Sequence, residues 1–358
     1  MPASFTAIDA ISPAFNRAKR QLFKPFQFGF WARMALVALA TGEFYGSSGW
    51  GGLHFTVPSP RGGPGPVFPA LVNPQWKSLM LFLPWILIGL PLLAATVLLW
   101  IYVSSVFRFI LFDSVLNARC QIKEGWRQWY SQGARFFLWR ICLGLAFVAV
   151  LALLCGAALL VFIRTGAFVD PRQHIVLLVL GGLGAFLALA CLIVLTVLAA
   201  LFARDFVVPV MALENVGVIE AWRRVIAMLK AEKGAYAGYV LMKIVLVVGS
   251  AIIFGILTLL ALLIFLVPLS VAGYGAYSYA RAAGLLWNFF TIAFCVIFGG
   301  AAVAAIFYVI AFVSAPAMVF FQSYMIHFLG ARYPRLGDRL FTPPAAPPLP
   351  DASASPAG

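Results

Sequence analysis

Val218-Ile-Glu-Ala-Trp-Arg-Arg-Val-Ile226 lies between two long apolar runs, and two further stretches of the chain have the same character. Around Ala14 the sequence reads Ile11-Ser-Pro-Ala-Phe-Asn-Arg-Ala-Lys-Arg20, and around Gly125 it reads Ile122-Lys-Glu-Gly-Trp-Arg-Gln-Trp-Tyr130. Each sets a small residue before an aromatic, gathers Lys and Arg, and precedes a pair of hydrophobic segments. When Ala14, Gly125 and Ala221 are aligned, Phe15, Trp126 and Trp222 coincide, as do Ile11, Ile122 and Val218. Val106-Phe-Arg108 and Phe202-Ala-Arg204 stand at the same distance before Trp126 and Trp222, and Pro209-Val-Met211 is echoed by Pro316-Ala-Met318. The pattern predicts an all-α integral membrane bundle of three parallel pseudo-repeats, about 8–107, 117–203 and 216–313, within one transmembrane domain over 1–340.

Composition agrees. The 358 residues are 63% hydrophobic and 10% charged, against about 25% charged residues in a soluble domain. The mean hydropathy of +1.00 belongs to the membrane class. Apolar runs long enough to cross a bilayer occur at about 79–107, 141–163, 175–203, 240–268 and 286–313. A sixth, about 26–45, carries Arg33 and Glu43 near its ends, where long side chains reach water. Its Ala38-Leu-Ala40 also has the form of a signal-peptide cleavage site. The interrupting Arg33 and the demand of the repeat for a first helix favour a span.

The net charge of +14 is distributed by topology. Of the 25 Lys and Arg, Arg61, Lys77, Arg164, Arg172 and Arg281 fall on one side of the six spans, and the other 20 on the opposite side. Lys and Arg collect on the cytoplasmic face, which puts both termini there and accounts for the basic excess without a nucleic-acid partner. The Gly- and Pro-rich residues 46–76 are then an exposed outer connection. Tyr274, Tyr277 and Tyr279, in an outer loop near 269–285, suit the headgroup layer, and the Pro/Ala/Ser-rich 341–358 forms a disordered tail.

In the third basic stretch Val218, Trp222, Val225 and Leu229 share one helical face, and the charges lie mostly elsewhere. This fits both a helix in the headgroup plane and a connecting helix packed on the bundle. Ser12-Pro13 reads as an N-cap followed by proline at the first helical position. The residues placed against lipid headgroups, anionic ones by charge, are Arg17, Lys19, Arg20, Arg127, Arg223, Arg224 and Lys230.

With Phe206-Val-Val-Pro-Val-Met-Ala-Leu-Glu214 running into Glu220-Ala-Trp-Arg-Arg and then Tyr236-Ala-Gly-Tyr, the chain resembles a group of bacterial polytopic proteins of unknown function over about residues 5–330. That group is similar to the membrane domain fused to glycerophosphodiester phosphodiesterases. The resemblance implies six helices with interleaved cytoplasmic amphipathic helices, in the bacterial inner membrane, and no activity.

Chemistry leaves little trace. His54, His174 and His327 are too scattered for a metal set, and the five cysteines show no paired spacing. Gly46-Ser-Ser-Gly49 lacks the nucleophile elbow, and Gly182-Leu-Gly184 lies in a span without a third glycine. No catalytic residue, metal or cofactor is indicated. The central parts of the clear spans carry no ionisable side chain, whereas ion-coupled transporters and pumps bury such groups there. Ala251 and Gly255, Gly181 and Ala185, and Gly300 and Ala304 have small-xxx-small spacing. Pro84 and Pro91 should bend the second span. The expectation is therefore a bundle closed at mid-depth by apolar side chains. Its expected role is that of a non-enzymatic, lipid-interacting or complex-assembling scaffold, with protein partners in the membrane. The alternative is a transporter or flippase of an apolar or amphiphilic substrate.

The charge asymmetry carries a test of topology. On intact cells a membrane-impermeant maleimide should label Ser59→Cys and not Ser353→Cys; labelling of Ser353→Cys from outside would invert the assignment.

Overall fold

The computed structural model describes residues 5–23, 28–42, 76–166, 173–284 and 288–341. The described chain is helical, without a strand. In order it forms α1 (Ile11–Phe23), α2 (Phe28–Thr41), α3 (Trp76–Asn117), α4 (Ile122–Arg164), α5 (Ile175–Phe202), a π-turn (Ala203–Val207), α6 (Val208–Glu214), α7 (Val218–Ala231), α8 (Lys233–Ala282), α9 (Phe289–Gly330) and α10 (Pro334–Phe341). Among the described residues five stretches are long and apolar enough to cross a membrane: in α3, in α4, from α5 through α6, in α8 and in α9. The segment expected as a sixth span gives α2, with 14 residues. At about 1.5 Å per residue α2 is shorter than the roughly 30 Å of a hydrocarbon core. Residues 43–75, with most of the expected outer connection, lie outside the described residues, and so do 342–358.

Several boundaries differ from those expected. The second basic stretch is not a separate helix but the head of α4, which runs 43 residues without a break. The third is separate: α7 stops at Ala231, and Glu232 leaves the helical region (φ −133°, ψ 55°). Gly234 lowers helix propensity next to that break, whereas Phe136, the residue of α4 that aligns with Glu232, is buried in the core. The tyrosines Tyr274, Tyr277 and Tyr279 are exposed on the last turns of α8 rather than in a loop. Both α8 and α9 continue through a proline, Pro268 and Pro316, in addition to Pro84 and Pro91 in α3. The turn before α1 is closed by Thr6 and Asp9, not by Ser12. The Thr6 N–H and hydroxyl both donate to Asp9 Oδ2 at 2.7 Å, and these bonds hold the Asp9 carboxyl below its usual value.

Packing is concentrated at one end. There, at what is termed the basic end, the last turns of α3, the π-turn with α6, and the second half of α9 touch one another and form the core. Phe109, Ile110, Phe206, Val210, Met318 and Phe328 are buried in it. Beyond the core the spans present their apolar side chains outward: Leu153 is 71% exposed and α5 has no buried residue. The bundle is therefore not closed at mid-depth as expected. Helices in lipid gain little by burying leucine against leucine, so tight packing has to come from small residues and polar groups. Gly181 does fit this way, its missing Cβ leaving room for the Phe162 ring, but Gly300 faces open space.

Around the core each basic helix packs on a helical segment other than the one it leads into. α1 packs on α9, the head of α4 on α3, and α7 on the π-turn and α6. The small residues that align in the sequence, Ala14, Gly125 and Ala221, are all buried at these crossings. The approach is closest at Gly133 of α4, where a Cβ would come within 2.9 Å of the Val106 Cα. In both connections from a long helix to a basic one, a non-glycine residue adopts the left-handed conformation, Ala118 at φ 52° and Asn215 at φ 53°.

One crossing shows how a proline is accommodated. Pro316 has no N–H, so the carbonyl of Phe312, four residues earlier in α9, loses its helical donor. Trp31 Nε1 of α2 donates to that carbonyl at 3.0 Å, and its ring stacks on Phe312. Pro316→Ala would restore the internal donor, so the two positions should be coupled. Trp31→Phe should cost about 1 kcal/mol or more in the native chain and distinctly less on a Pro316→Ala background. Thermal unfolding in detergent of the four members of that cycle measures the coupling; additive losses would contradict it.

Candidate functional site: buried charges at the basic end

The π-turn brings an acid into the core. The N–H of Val208 reaches back five residues to the carbonyl of Ala203, and Pro209 cannot supply the ordinary donor to the carbonyl of Asp205. Asp205 is 2% exposed. It accepts from Lys243 Nζ of α8, from the Tyr239 hydroxyl at 3.0 Å and from Arg204 Nε at 3.3 Å. Tyr239 and Lys243 are four residues apart and so share one face of α8, and Lys243 is itself 3% exposed. The Tyr239 ring stacks on Tyr324 of α9, with centroids 5.2 Å apart and planes 8° from parallel. One carboxylate thus ties α8 to the π-turn, and the stack adds α9. The hydroxyls of Tyr236, Tyr324 and Ser323 are buried and have no hydrogen-bond partner among the described residues.

A second hub lies nearer the surface. Glu214, at the end of α6, accepts from the Tyr333 hydroxyl, pairs with Arg224 of α7 and stands 3.8 Å from Arg335. Arg332 reaches three parts of the chain: Glu232 Oε2 at 2.8 Å, the Phe5 carbonyl at 2.8 Å and the Phe328 carbonyl at 3.2 Å. In α4, Arg140 donates to the hydroxyls of Ser104 and Ser105 of α3, at 3.3 and 3.2 Å.

The seven residues placed against headgroups divide. Arg17 is turned inward: it donates to the carbonyls of Val115 (3.1 Å) and Leu116 (2.7 Å), where the end of α3 leaves acceptors without helical partners. Burial, and then the charge of Arg20, push its guanidinium below its ordinary value. Arg224 is engaged by Glu214 and Glu220. Lys19, Arg20, Arg127, Arg223 and Lys230 are exposed, and of these Arg223 meets Glu220 at 3.0 Å.

Asp205 is the residue that sequence reasoning missed. Lys243 counted there as a charge flanking a loop, and Asp205 stood just past the end of an assigned span. The available signal was local: an acid before a proline, and a Tyr-Lys pair at four-residue spacing on the next helix. The donors on Asp205 occupy both of its oxygens. Among the described residues no three His, Cys, Asp or Glu gather as a metal would require. His54 lies outside them, His174 precedes α5 and His327 is on α9. Burial pushes the Cys120 thiol up. The other four cysteines are exposed on α4, α5 and α9.

Described residues that are all helical or in turns, with five apolar stretches of spanning length and a buried ion pair at one end, make this a multi-pass membrane protein. It belongs to the family of unknown function DUF7544, which it matches over residues 5–339. No curated protein and no solved structure matches the chain.

The Asp205–Lys243 pair has a distinctive mutational signature. Asp205→Asn or Lys243→Met alone leaves a buried partner uncompensated and should destabilise by about 3–5 kcal/mol, whereas Asp205→Leu with Lys243→Met should recover most of that. Detergent unfolding curves check this; a double variant as damaged as the sum of the singles would contradict it.

Proposed function

We propose that the protein is a non-enzymatic scaffold of the bacterial inner (cytoplasmic) membrane, which holds anionic lipid at its basic end and assembles with protein partners in the membrane. The observation that carries this reading is the division of its cations. Arg17, Arg224 and Lys243 are used inside, while Lys19, Arg20, Arg127, Arg223 and Lys230 remain outside around a packed core. Each outward cation near an anionic leaflet attracts it by about 1 kcal/mol. In this reading the basic end and both termini are cytoplasmic, α2 belongs to a sixth span, and the basic helices are amphipathic and lie at the interface.

The packing also supports three pseudo-repeats. Each basic helix would belong to the unit that follows it in the chain and sit on the last helix of the unit before, with α1 on α9 closing the ring. Three clasps across these boundaries are consistent with that: Trp31 to Phe312, Arg140 to Ser104 and Ser105, and Lys243 to Asp205. The resemblance proposed from the sequence, to the membrane domain fused to glycerophosphodiester phosphodiesterases, would fit a lipid-facing role without hydrolysis. Neither a cofactor nor a nucleic acid has a place in this reading.

One observation favours the transporter or flippase alternative: a buried ion pair at a π-turn, a kind of irregularity that recurs at functional sites. Reconstitution into vesicles of phosphatidylglycerol and phosphatidylcholine separates the two. A scaffold should enrich phosphatidylglycerol around itself, lose that enrichment when the five exposed cations become Gln, and leave transbilayer lipid movement at the level of protein-free vesicles. Lipid movement that depends on Asp205 and Lys243 would replace the scaffold by a flippase.

A further inference from the structure

α7 is apolar on two faces, and only one of them is used by the protein. Val218, Ala221 and Val225 are buried against the core. On the outward side Ile219 is 79% exposed and Ile226 is 41% exposed. With Trp222, Arg223, Ala227 and Lys230 they line a groove of about 500 Å³. The Trp222 ring is braced from behind by Trp139, with centroids 5.6 Å apart. A surface helix ordinarily carries polar residues opposite its buried face. Here that side holds an aliphatic strip bordered by two cations. Arg223 shares Glu220 with Arg224, while Lys230 pairs with no acid among the described residues. The two cations are seven residues apart, about 10 Å along the helix, so their side chains can converge on one headgroup while the isoleucines lie along a chain.

We propose that this groove is a binding site for a single anionic phospholipid, its phosphodiester held by Arg223 and Lys230 and one acyl chain laid along Ile219, Trp222 and Ile226. Charge complementarity selects the occupant. The cationic border suits a headgroup that has no cation of its own, and the exposed aliphatics suit a chain and not a free phosphate. The inference rests on the lipid-holding reading above and narrows it from a diffuse belt to one site.

The test uses the full-length protein purified in detergent and titrated with phosphatidylglycerol or phosphatidylcholine, with retained lipids counted by native mass spectrometry under increasing activation. The unaltered protein should keep one phosphatidylglycerol after all others have dissociated. Arg223→Gln with Lys230→Gln should lose that lipid, with roughly 30-fold weaker affinity. Ile219→Ser with Ile226→Ser should lose it with both charges intact, and these outward positions leave the buried face of the helix untouched. Lys19→Gln, Arg20→Gln and Arg127→Gln together should strip weakly held lipid and keep the last one. If only this last variant loses phosphatidylglycerol, the site is overturned and the lipid-holding belt stands. If no variant differs from the native protein and phosphatidylcholine is retained equally, both fall. Retention by the serine variant, or equal binding of free glycerol phosphate, would also overturn the site as an amphiphile groove.

Discussion

A carboxylate inside an apolar bundle needs a counter-charge and donors from neighbouring helices, and Asp205 meets that requirement with residues of α8. Lys243 and Tyr239 have to arrive together, so the register of α8 against the π-turn is set by one interaction. The Tyr239–Tyr324 stack passes the constraint on to α9. From α9, the carbonyl freed by Pro316 takes its donor from α2. The arrangement of the basic end follows from a few polar groups that cannot remain unpaired in lipid.

The rest of the bundle follows the opposite logic. Between apolar helices in a bilayer there is no water to expel, so leucine-rich surfaces have no reason to seek one another. The outward faces of α4, α5 and α8 are exposed over most of their length for that reason. Where helices do approach closely, a missing side chain permits it, as at Gly133 against Val106 and Gly125 against Ile110. Order is concentrated where small residues, charges and helix ends coincide.

The same economy divides the cations. Arg17 satisfies the carbonyls at the end of α3, and Arg224 serves Glu214. Both belong to the same short basic helices that expose Lys19, Arg20, Arg223 and Lys230. A helix of this kind has two jobs on two faces, and its net charge does not say which cation does which.

Much of the architecture was legible in the residues themselves. Apolar length and low charge marked five spanning helices, because the bilayer imposes a length and excludes charge. The recurrence of a small residue before an aromatic marked Ala14, Gly125 and Ala221, and all three are buried at crossings. What the sequence by itself determined was therefore local: which segments are helical and apolar, and where basic residues gather. The tertiary structure alone decided that Asp205 faces Lys243, that the second basic stretch fuses with its span, and that Arg17 turns inward while Lys19 does not. Those outcomes depend on pairings between helices distant in the chain. The periodicity of a single helix reports only its own faces, and carries no information about which neighbour each face will meet.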